Sequence, residues 1–193
     1  SKIALCEAGE VAEMTAVDVG ARIVCFDAQG RVKRIEESGQ RFAAEAGLAL
    51  EIGRKPDAVG LARMVACMAE RLFEVIDSKS LSARTAALVR LGPLRTERKP
   101  DVIMFSGGVS EYIYGREARP FGDLGPLLGA AILERVRAWG PRIERPDEGI
   151  RATVIGASQY TIQVSGGTIF VAPLDVLPLR NVPVITPDLP LDD

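Results

Sequence analysis

The sequence contains no histidine, and this absence excludes several kinds of chemistry. Ser-His-Asp and Cys-His nucleophile systems, histidine general bases and histidine zinc sites all need an imidazole ring. Any catalysis must therefore use carboxylates, lysine or arginine, backbone amides, or a metal ion held by oxygen ligands.

Cysteine is also scarce. The three cysteines, Cys6, Cys25 and Cys67, are far apart and lie in apolar stretches. An odd number without a CxxC pair is not typical of a disulfide framework or a metal site. We expect all three to be buried structural thiols.

A strong charge of one sign and long hydrophobic runs are missing too. The formal net charge of -2 gives no electrostatic reason to expect nucleic acid or an anionic membrane as a partner. No apolar run approaches the roughly 18 residues that a membrane span needs. The first residues do not form a signal peptide. We therefore expect a cytoplasmic protein with neither nucleic acid nor membrane as a partner.

The pattern of apolar and turn residues predicts an α/β fold. Hydrophobic residues make up 47% of the chain and charged residues 26%, a balance typical of a globular domain or lobe. The predicted elements, in order, are an antiparallel meander of three strands over residues 1–35, a surface excursion with short strand pieces over 36–56, helices over 57–78 and 80–91, a strand at 102–105, a helix at 124–139, a strand at 151–155 and a hairpin over 160–171. The tail, 172–193, is rich in proline, so we expect it to lie extended over the body.

Two of these helices have clear signals. In residues 57–78 apolar side chains recur at i, i+3, i+4 and i+7. For residues 124–139, Asp123 is a candidate N-cap and Gly140-Pro141 a stop signal. Helix capping explains Asp123 better than a role as general base. Gly125 and Gly129 would let this helix pack closely against a neighbour.

The stretch Val102–Phe105 followed by Ser106-Gly107-Gly108 is the best candidate for a ligand site. It is too short for a helix and ends abruptly at the glycines, which predicts a short buried parallel strand. A residue without Cβ lets a ligand approach the backbone, and in open α/β sheets ligands bind at the carboxyl ends of strands. The residues leave two interpretations open: Gly107 and Gly108 hold a ligand, or they only turn the chain into a helix.

An antiparallel opening followed by strands and helices that alternate favours a ribonuclease-H-like lobe over a doubly wound dinucleotide fold. No G-x-G-x-x-G follows a strand, and no Walker A sequence is present. We expect residues 1–171 to form this lobe, with a mixed sheet and flanking helices.

Five separated segments resemble the EutA family, the reactivating factor of ethanolamine ammonia-lyase. They are DVGAR (18–22), FSGGVSE (105–111), FGDLGPLLG (121–129), RATVIG (151–156) and LPLRNVP (177–183). The resemblance covers nearly the whole chain but only the carboxyl-terminal part of the family's length. We therefore expect the chain to be part of a longer protein and to lack its amino-terminal lobe.

The resemblance implies an actin-like ATPase fold with nucleotide between two lobes. The phosphate loops and catalytic carboxylates of that superfamily precede Ser1, so it implies neither catalytic nor metal-binding residues in this chain. The superfamily's adenosine motif is matched by Ser106, Gly107, Gly108, Val109 and Ser110. Asp18 and Arg22 are expected to be structural.

The function that the resemblance implies is ATP-dependent reactivation. The intact protein would bind ATP or ADP with magnesium, dock on ethanolamine ammonia-lyase and promote exchange of damaged for intact cobalamin. The intact protein would be a weak ATPase, whereas this chain alone should have no measurable ATPase activity and need no cofactor.

Other interpretations stay open. One is a lobe of a small-molecule kinase of the same superfamily, and another is a nucleotide-free module that docks through Tyr112, Tyr114 and the tail. The sequence also leaves open a homodimer formed through an exposed strand edge and association with a bacterial microcompartment.

Overall fold

The computed structural model describes residues 1–77, 80–96 and 99–146, and this part is mixed α/β, as predicted. Its strands are β1 (Lys2–Glu7), β2 (Glu10–Ala16), β3 (Val24–Phe26), β4 (Val32–Ile35), β5 (Val102–Met104) and β6 (Arg142–Glu144). Its helices are α1 (Glu37–Glu45), α2 (Ala58–Asp77), α3 (Ala83–Ala86), α4 (Gly108–Ile113) and α5 (Gly125–Trp139). The predicted strand at 151–155, the hairpin at 160–171 and the tail lie outside the described residues.

The opening segment forms two separate hairpins, so the prediction of one three-stranded meander is wrong. β1 pairs with β2 and β3 with β4, both antiparallel. Between them the chain leaves β2 and bonds instead to the segment after α3, through the Val17↔Val89 bridge and the Asp18 N–H donating to Leu88 O at 2.9 Å. The alternating apolar residues Val17, Val19, Ala21 and Ile23 are all buried, so the alternation signalled burial without a continuous strand.

Residues 37–45 form helix α1, although the sequence predicted only a surface excursion with strand pieces over 36–56. Phe42 and Ala43 are buried on its inner face, together with Ser38 and Gly39. Because serine and glycine supply half of that face, no apolar helical period is visible in the sequence. A Cβ at Gly39 would lie 2.7 Å from Ile23 O, so the glycine permits this close approach. Residues 46–57 contain no strand.

Helix α2 forms as predicted and lies at the centre of the core. Met64, Val65 and Met68 on its inner face are at most 2% exposed. Each such side chain contributes about 1.5–3 kcal/mol through burial. At its start the Asp57 carboxylate accepts a hydrogen bond from Gly60 N–H at 2.6 Å, which satisfies a donor of the first turn.

Helix α5 also forms as predicted. The helix begins one residue later than predicted, so its N-cap is Leu124, which makes no side-chain cap. Asp123, one residue before that position, still bonds to the start of the helix, since its Oδ1 accepts from the Gly125 N–H at 2.7 Å. Gly140 ends the helix in the left-handed region, with φ 107°, and its N–H donates to Val136 O. The last residue, Trp139, packs edge-on against Phe73 of α2 with ring centroids 5.7 Å apart, so this contact joins the ends of two core helices.

The predicted helix over 80–91 is reduced to one turn, α3, whose N-cap Ser82 accepts from Thr85 N–H. The turn is fixed to α2 by the buried Arg71, which donates to Ser82 Oγ at 3.0 Å and to Glu74 Oε2 at 2.9 Å. Burial alone would raise the pKa of Glu74, but hydrogen bonds from Thr85 and Ser82, together with the positive charge of Arg71, outweigh it and lower that pKa. Tertiary hydrogen bonds therefore hold a segment too short to be a stable helix alone.

The prediction that all three cysteines are buried is wrong. Cys6 is exposed, and Cys25 and Cys67 are half-buried. Cys6 pairs across the first hairpin with Val11, which is 56% exposed, so apolar neighbours in sequence did not indicate burial here. Burial raises the pKa of the Cys67 thiol.

β5 pairs in parallel with β6, with Ile103 opposite Ile143. The parallel pairing agrees with the prediction, but β5 is not a buried strand, since Met104 is 61% exposed and Val102 is half-buried. In the described ranges the six strands form three two-stranded sheets, so the expected single mixed sheet is not seen there. The ribonuclease-H-like arrangement stays a prediction. In the same ranges, every helix is too short or too polar to cross a membrane.

Candidate ligand site at the carboxyl end of β5

The turn between β5 and α4 has an open outer side. Gly107 adopts φ 89° and ψ -177°, a conformation essentially restricted to glycine. A Cβ added at either Gly107 or Gly108 would meet no heavy atom within 4 Å outside the chain neighbours. The backbone of the turn is therefore accessible to a ligand at a strand end, where ligands bind in α/β proteins.

The five residues that the sequence pointed to form this one turn and the start of α4. Ser106 and Gly108 are exposed, Gly107 and Val109 are half-buried, and Ser110 is 1% exposed. The Ser110 hydroxyl donates to Gly107 O at 2.6 Å. Ser110 therefore holds the shape of the turn, and any contribution that it makes to a ligand acts through that shape.

Tyr114 anchors the turn from behind, a role that sequence reasoning missed. Its hydroxyl oxygen accepts from the Phe105 N–H at 2.7 Å and its hydroxyl donates to Glu144 O at 2.9 Å, which ties the ends of β5 and β6 together. The guanidinium of Arg116 lies over its ring, 5.1 Å from the centroid. Because Tyr114 is only 6% exposed, it offers no docking surface of the kind weighed for the nucleotide-free module.

Glycines on α5 set the distance between α4 and α5, as the sequence predicted. A Cβ at Gly129 would lie 2.7 Å from Tyr112 Cβ and 3.5 Å from Val109 O. A Cβ at Gly125 would lie 2.7 Å from Tyr112 Cε2. Since α4 begins at the turn, these close contacts fix where the turn lies relative to α5.

Glu111, in the second half of α4, carries an unsatisfied polar atom. Its Oε1 is buried and has no hydrogen-bond partner within the described ranges. Arg116 Nη1 lies 3.6 Å from it, an ion-pair contact that is too long for a hydrogen bond. Sequence reasoning did not single out Glu111, because an acidic residue in a polar segment gives no signal of burial.

Asp18 bonds to the segment that follows α3. Its carboxylate accepts from Arg90 Nε at 2.7 Å, and its N–H bonds to Leu88 O. Arg22 is exposed, and its carbonyl accepts from Arg34 at 2.9 Å. Both residues line a cavity of about 480 Å³. In the described ranges no three or more histidine, cysteine, aspartate or glutamate side chains are grouped to hold a metal ion.

Comparison with known proteins assigns the chain to a family. The sequence model of the family described as ethanolamine utilisation protein EutA matches residues 1–192. The chain belongs to the EutA family. The resemblance inferred from the five segments is thereby confirmed.

Two curated EutA relatives carry the description ethanolamine ammonia-lyase reactivase. The protein from Salmonella typhimurium strain LT2 is 38% identical over 189 residues, covering 97% of this chain and 40% of the relative. The protein from Escherichia coli K12 is 37% identical over 186 residues, covering 95% of this chain and 39% of the relative. The chain thus spans about 40% of the length of the relatives that it matches. No solved structure matches it.

Three of the EutA-like segments contact one another in the structure. Residues 105–111 form the turn and most of α4, and residues 121–129 form the start of α5, which packs on α4. Segment 18–22 joins them through the Leu124 N–H, which donates to Ala21 O at 3.2 Å. The other two segments lie outside the described residues.

Proposed function

We propose that this protein acts, as part of a longer EutA polypeptide, in the ATP-dependent reactivation of cobalamin-dependent ethanolamine ammonia-lyase. Its part is to hold the adenosine portion of the nucleotide at the turn Ser106–Ser110. The observation that carries the proposal is the open glycine turn, where neither Gly107 nor Gly108 has a neighbour within 4 Å of a Cβ position.

The turn fits a flat nucleoside. A purine or ribose can contact bare backbone there because no side chain projects from two successive residues. The anchors behind the turn, Tyr114 and the contact between Gly129 and Tyr112, keep it in one position, so little ordering is needed when a ligand binds.

In the described ranges no three or more histidine, cysteine, aspartate or glutamate side chains lie together. We assign no metal ligand to this part of the chain. The polyphosphate and its cation belong, in this proposal, to the remainder of the longer protein.

The two-lobe arrangement supplies a physical basis for reactivation. A nucleotide that contacts both lobes can shift the balance between an open and a closed arrangement only through a difference in affinity for the two. Docked on the lyase, that movement would open it, so that damaged cobalamin leaves and intact cobalamin enters. The printed description of the relatives names that lyase as what they reactivate.

The test is calorimetric titration of ADP with magnesium into the intact protein and into its Gly108→Asp variant. The aspartate would occupy the open space at the turn, and a ligand bound there would have to remove its carboxylate from water. We therefore expect the affinity for ADP to fall by at least about tenfold. An acidic residue in the first turn of a helix is favourable, so the fold should be retained.

Gly92→Asp is the matched control. Gly92 is also exposed, also lacks a neighbour within 4 Å of its Cβ position, and does not need a left-handed backbone. Loss of binding in Gly108→Asp alone would support the site, and the next assay is rescue of cobalamin-inactivated ethanolamine ammonia-lyase. If Gly108→Asp binds as tightly as the unmodified protein, the turn does not hold the nucleotide.

A further inference from the structure

We propose that the loop between α4 and α5, residues 115–122, is the surface through which the intact protein docks on ethanolamine ammonia-lyase. Its contact groups are the ring of Phe121 and the guanidinium of Arg119. The inference rests on the proposed function for the identity of the partner, and it adds the surface that meets that partner.

Phe121 exposes an aromatic ring to solvent. It is 63% exposed, and among the exposed large apolar residues of the described ranges it is the aromatic one. Single exposed apolar residues are common on protein surfaces. Phe121 differs from them because the guanidinium of Arg119 lies over its ring, 5.7 Å from the centroid. The Arg119 side chain is itself 79% exposed, so the two residues form one exposed pair of an aromatic and a cationic group.

The loop that carries this pair is held in one conformation by its own hydrogen bonds. Glu117 Oε1 accepts from the N–H groups of Ala118 and Arg119 at 2.9 and 2.8 Å, and its Oε2 accepts from Arg119 Nη2 at 3.1 Å. The hydroxyl of Tyr112, on α4, donates to Arg119 O at 2.7 Å. The side-chain bond from Arg119 and the backbone N–H groups lower the pKa of Glu117 to about 2, so the carboxylate is charged at neutral pH and these bonds persist there.

Both ends of the loop are bonded to neighbouring elements. At its start the Arg116 N–H donates to Glu111 O at 2.8 Å, and at its end Gly122 O accepts from the Phe26 N–H at 2.7 Å. A Cβ at Gly122 would lie 2.7 Å from Phe26 O, so the glycine permits this close approach to β3. A loop fixed in this way loses little conformational entropy when a partner binds it.

The exposed pair specifies the chemistry of the partner. Aromatic and arginine residues contribute much of the binding free energy in protein interfaces, usually by entering desolvated pockets. A guanidinium has five N–H donors, and Glu117 uses only those on Nε and one on Nη2 of Arg119. The complementary surface is therefore an apolar pocket for Phe121 with a carboxylate at its rim for Arg119. A folded protein offers such a pocket, and the proposed function identifies that protein as the lyase.

The loop and the glycine turn adjoin opposite ends of the same short helix. α4 begins at Gly108, and its Tyr112 bonds to the loop through Arg119 O. A shift of α4 on nucleotide binding would therefore move the loop. ATP-dependent reactivation requires a coupling of this kind between the nucleotide and the lyase.

The remainder of the longer polypeptide provides the competing explanation. The chain spans about 40% of the length of its relatives, so another part of the same protein could cover Phe121. In that case the ring would be buried in the intact protein, and its removal would lower stability. A docking ring is exposed in the free protein, and its removal leaves stability unchanged.

The experiment measures the affinity of the intact protein for purified, cobalamin-inactivated ethanolamine ammonia-lyase by surface plasmon resonance. Tm and the affinity for ADP are measured on the same samples. We expect Phe121→Ala to bind the lyase roughly thirtyfold or more weakly, the loss typical of an interface hot spot, with Tm and the affinity for ADP unchanged. Arg119→Lys keeps the charge but loses the planar arrangement of donors, so it should also bind the lyase more weakly.

A second exposed loop provides matched controls. Ile52 is also 63% exposed, and Arg54, two residues away, is 76% exposed and pairs with Glu51 at 2.9 Å. Ile52→Ala and Arg54→Lys therefore make similar changes at similarly exposed positions. Both variants should bind the lyase as tightly as the unmodified protein.

The outcomes separate this inference from the proposed function. If Phe121→Ala also lowers the Tm of the intact protein, the longer polypeptide covers the ring and the inference is wrong. If Phe121→Ala and Arg119→Lys bind the lyase with unchanged affinity, or if the control variants lose as much affinity, the loop is not the docking surface and the proposed nucleotide site is unaffected. If the intact protein does not bind the lyase at all, both the inference and the proposed function are wrong.

Discussion

Replacing Gly129 by alanine tests whether α4 is held at its position by the absence of a side chain on α5. The new Cβ would lie 2.7 Å from Tyr112 Cβ and 3.5 Å from both Val109 O and Ile113 N. These atoms belong to the backbone of α4 or are attached directly to it. No side-chain rotation can therefore relieve the overlap, and α4 must move.

Two opposing effects determine how much Gly129→Ala changes the free energy of unfolding. Overpacking of this kind typically costs about 1–3 kcal/mol. Alanine is better than glycine in a helix interior by about 1 kcal/mol. Because the new Cβ contacts atoms that cannot rotate away, we expect the cost of overpacking to lie in the upper part of its range. The net loss in the free energy of unfolding is then roughly 1–2 kcal/mol, which lowers Tm by about 2–8 °C for a chain of this size.

The assay is urea denaturation of Gly129→Ala beside Ala130→Gly. Ala130 is exposed on the same helix, so its replacement reports helix propensity alone and should lose about 1 kcal/mol. If packing had no effect, Gly129→Ala would raise the free energy of unfolding by the amount that Ala130→Gly lowers it. A more stable Gly129→Ala protein would therefore refute the close-packing argument.

Two further predictions concern the turn and α3. Gly107→Ala should lower the free energy of unfolding by about 1–3 kcal/mol, because alanine rarely adopts the backbone conformation at that position. Gly108→Ala should not destabilise the protein. Equal losses for the two variants in chemical denaturation would contradict this prediction. The lowered pKa of Glu74 means that its stabilising contribution is full above its unfolded-state pKa and is lost as pH falls through its folded-state pKa. Glu74→Gln should therefore flatten the decrease in stability measured between pH 5 and more acidic pH, and an unchanged profile would show that other carboxylates cause it.

Several elements could be predicted because their signals are local. The spacing of Met64, Val65 and Met68 identifies α2, since an amphipathic helix buries residues at that period wherever it packs. The end of α5 follows from Gly140, whose backbone preference acts locally, and its start lies one residue from the predicted position, where the Gly125 N–H donates to Asp123.

Other elements could not be predicted because distant contacts decide them. The inner face of α1 includes Ser38 and Gly39, and Gly39 lies against Ile23 O and the Val24 side chain, which come from an earlier part of the chain. The segment at Val17 leaves the first hairpin because it pairs with Val89, far along the chain. A short stretch of sequence around α1 or Val17 contains none of the distant residues that pack against it.

The candidate site was predictable in place but not in detail. The glycine pair after a strand located the turn, because only glycine gives an open backbone there. Ser110 was expected beside the ligand, yet its hydroxyl is directed to Gly107 O, and the role of Tyr114 depends on its contact with β6. Those properties arise from packing and leave no trace in the spacing of residue types.

The packing of Trp139 on Phe73 provides an intrinsic fluorescence probe of the core. Trp139 is the single tryptophan of the chain, and its edge-on contact with Phe73 joins α2 to α5. Two of the three tyrosines, Tyr112 and Tyr114, lie instead at the glycine turn and its support. Tryptophan emission therefore reports separation of the core helices during unfolding, and a change in tyrosine absorbance that is lost in Tyr112→Phe or Tyr114→Phe reports an event at the turn.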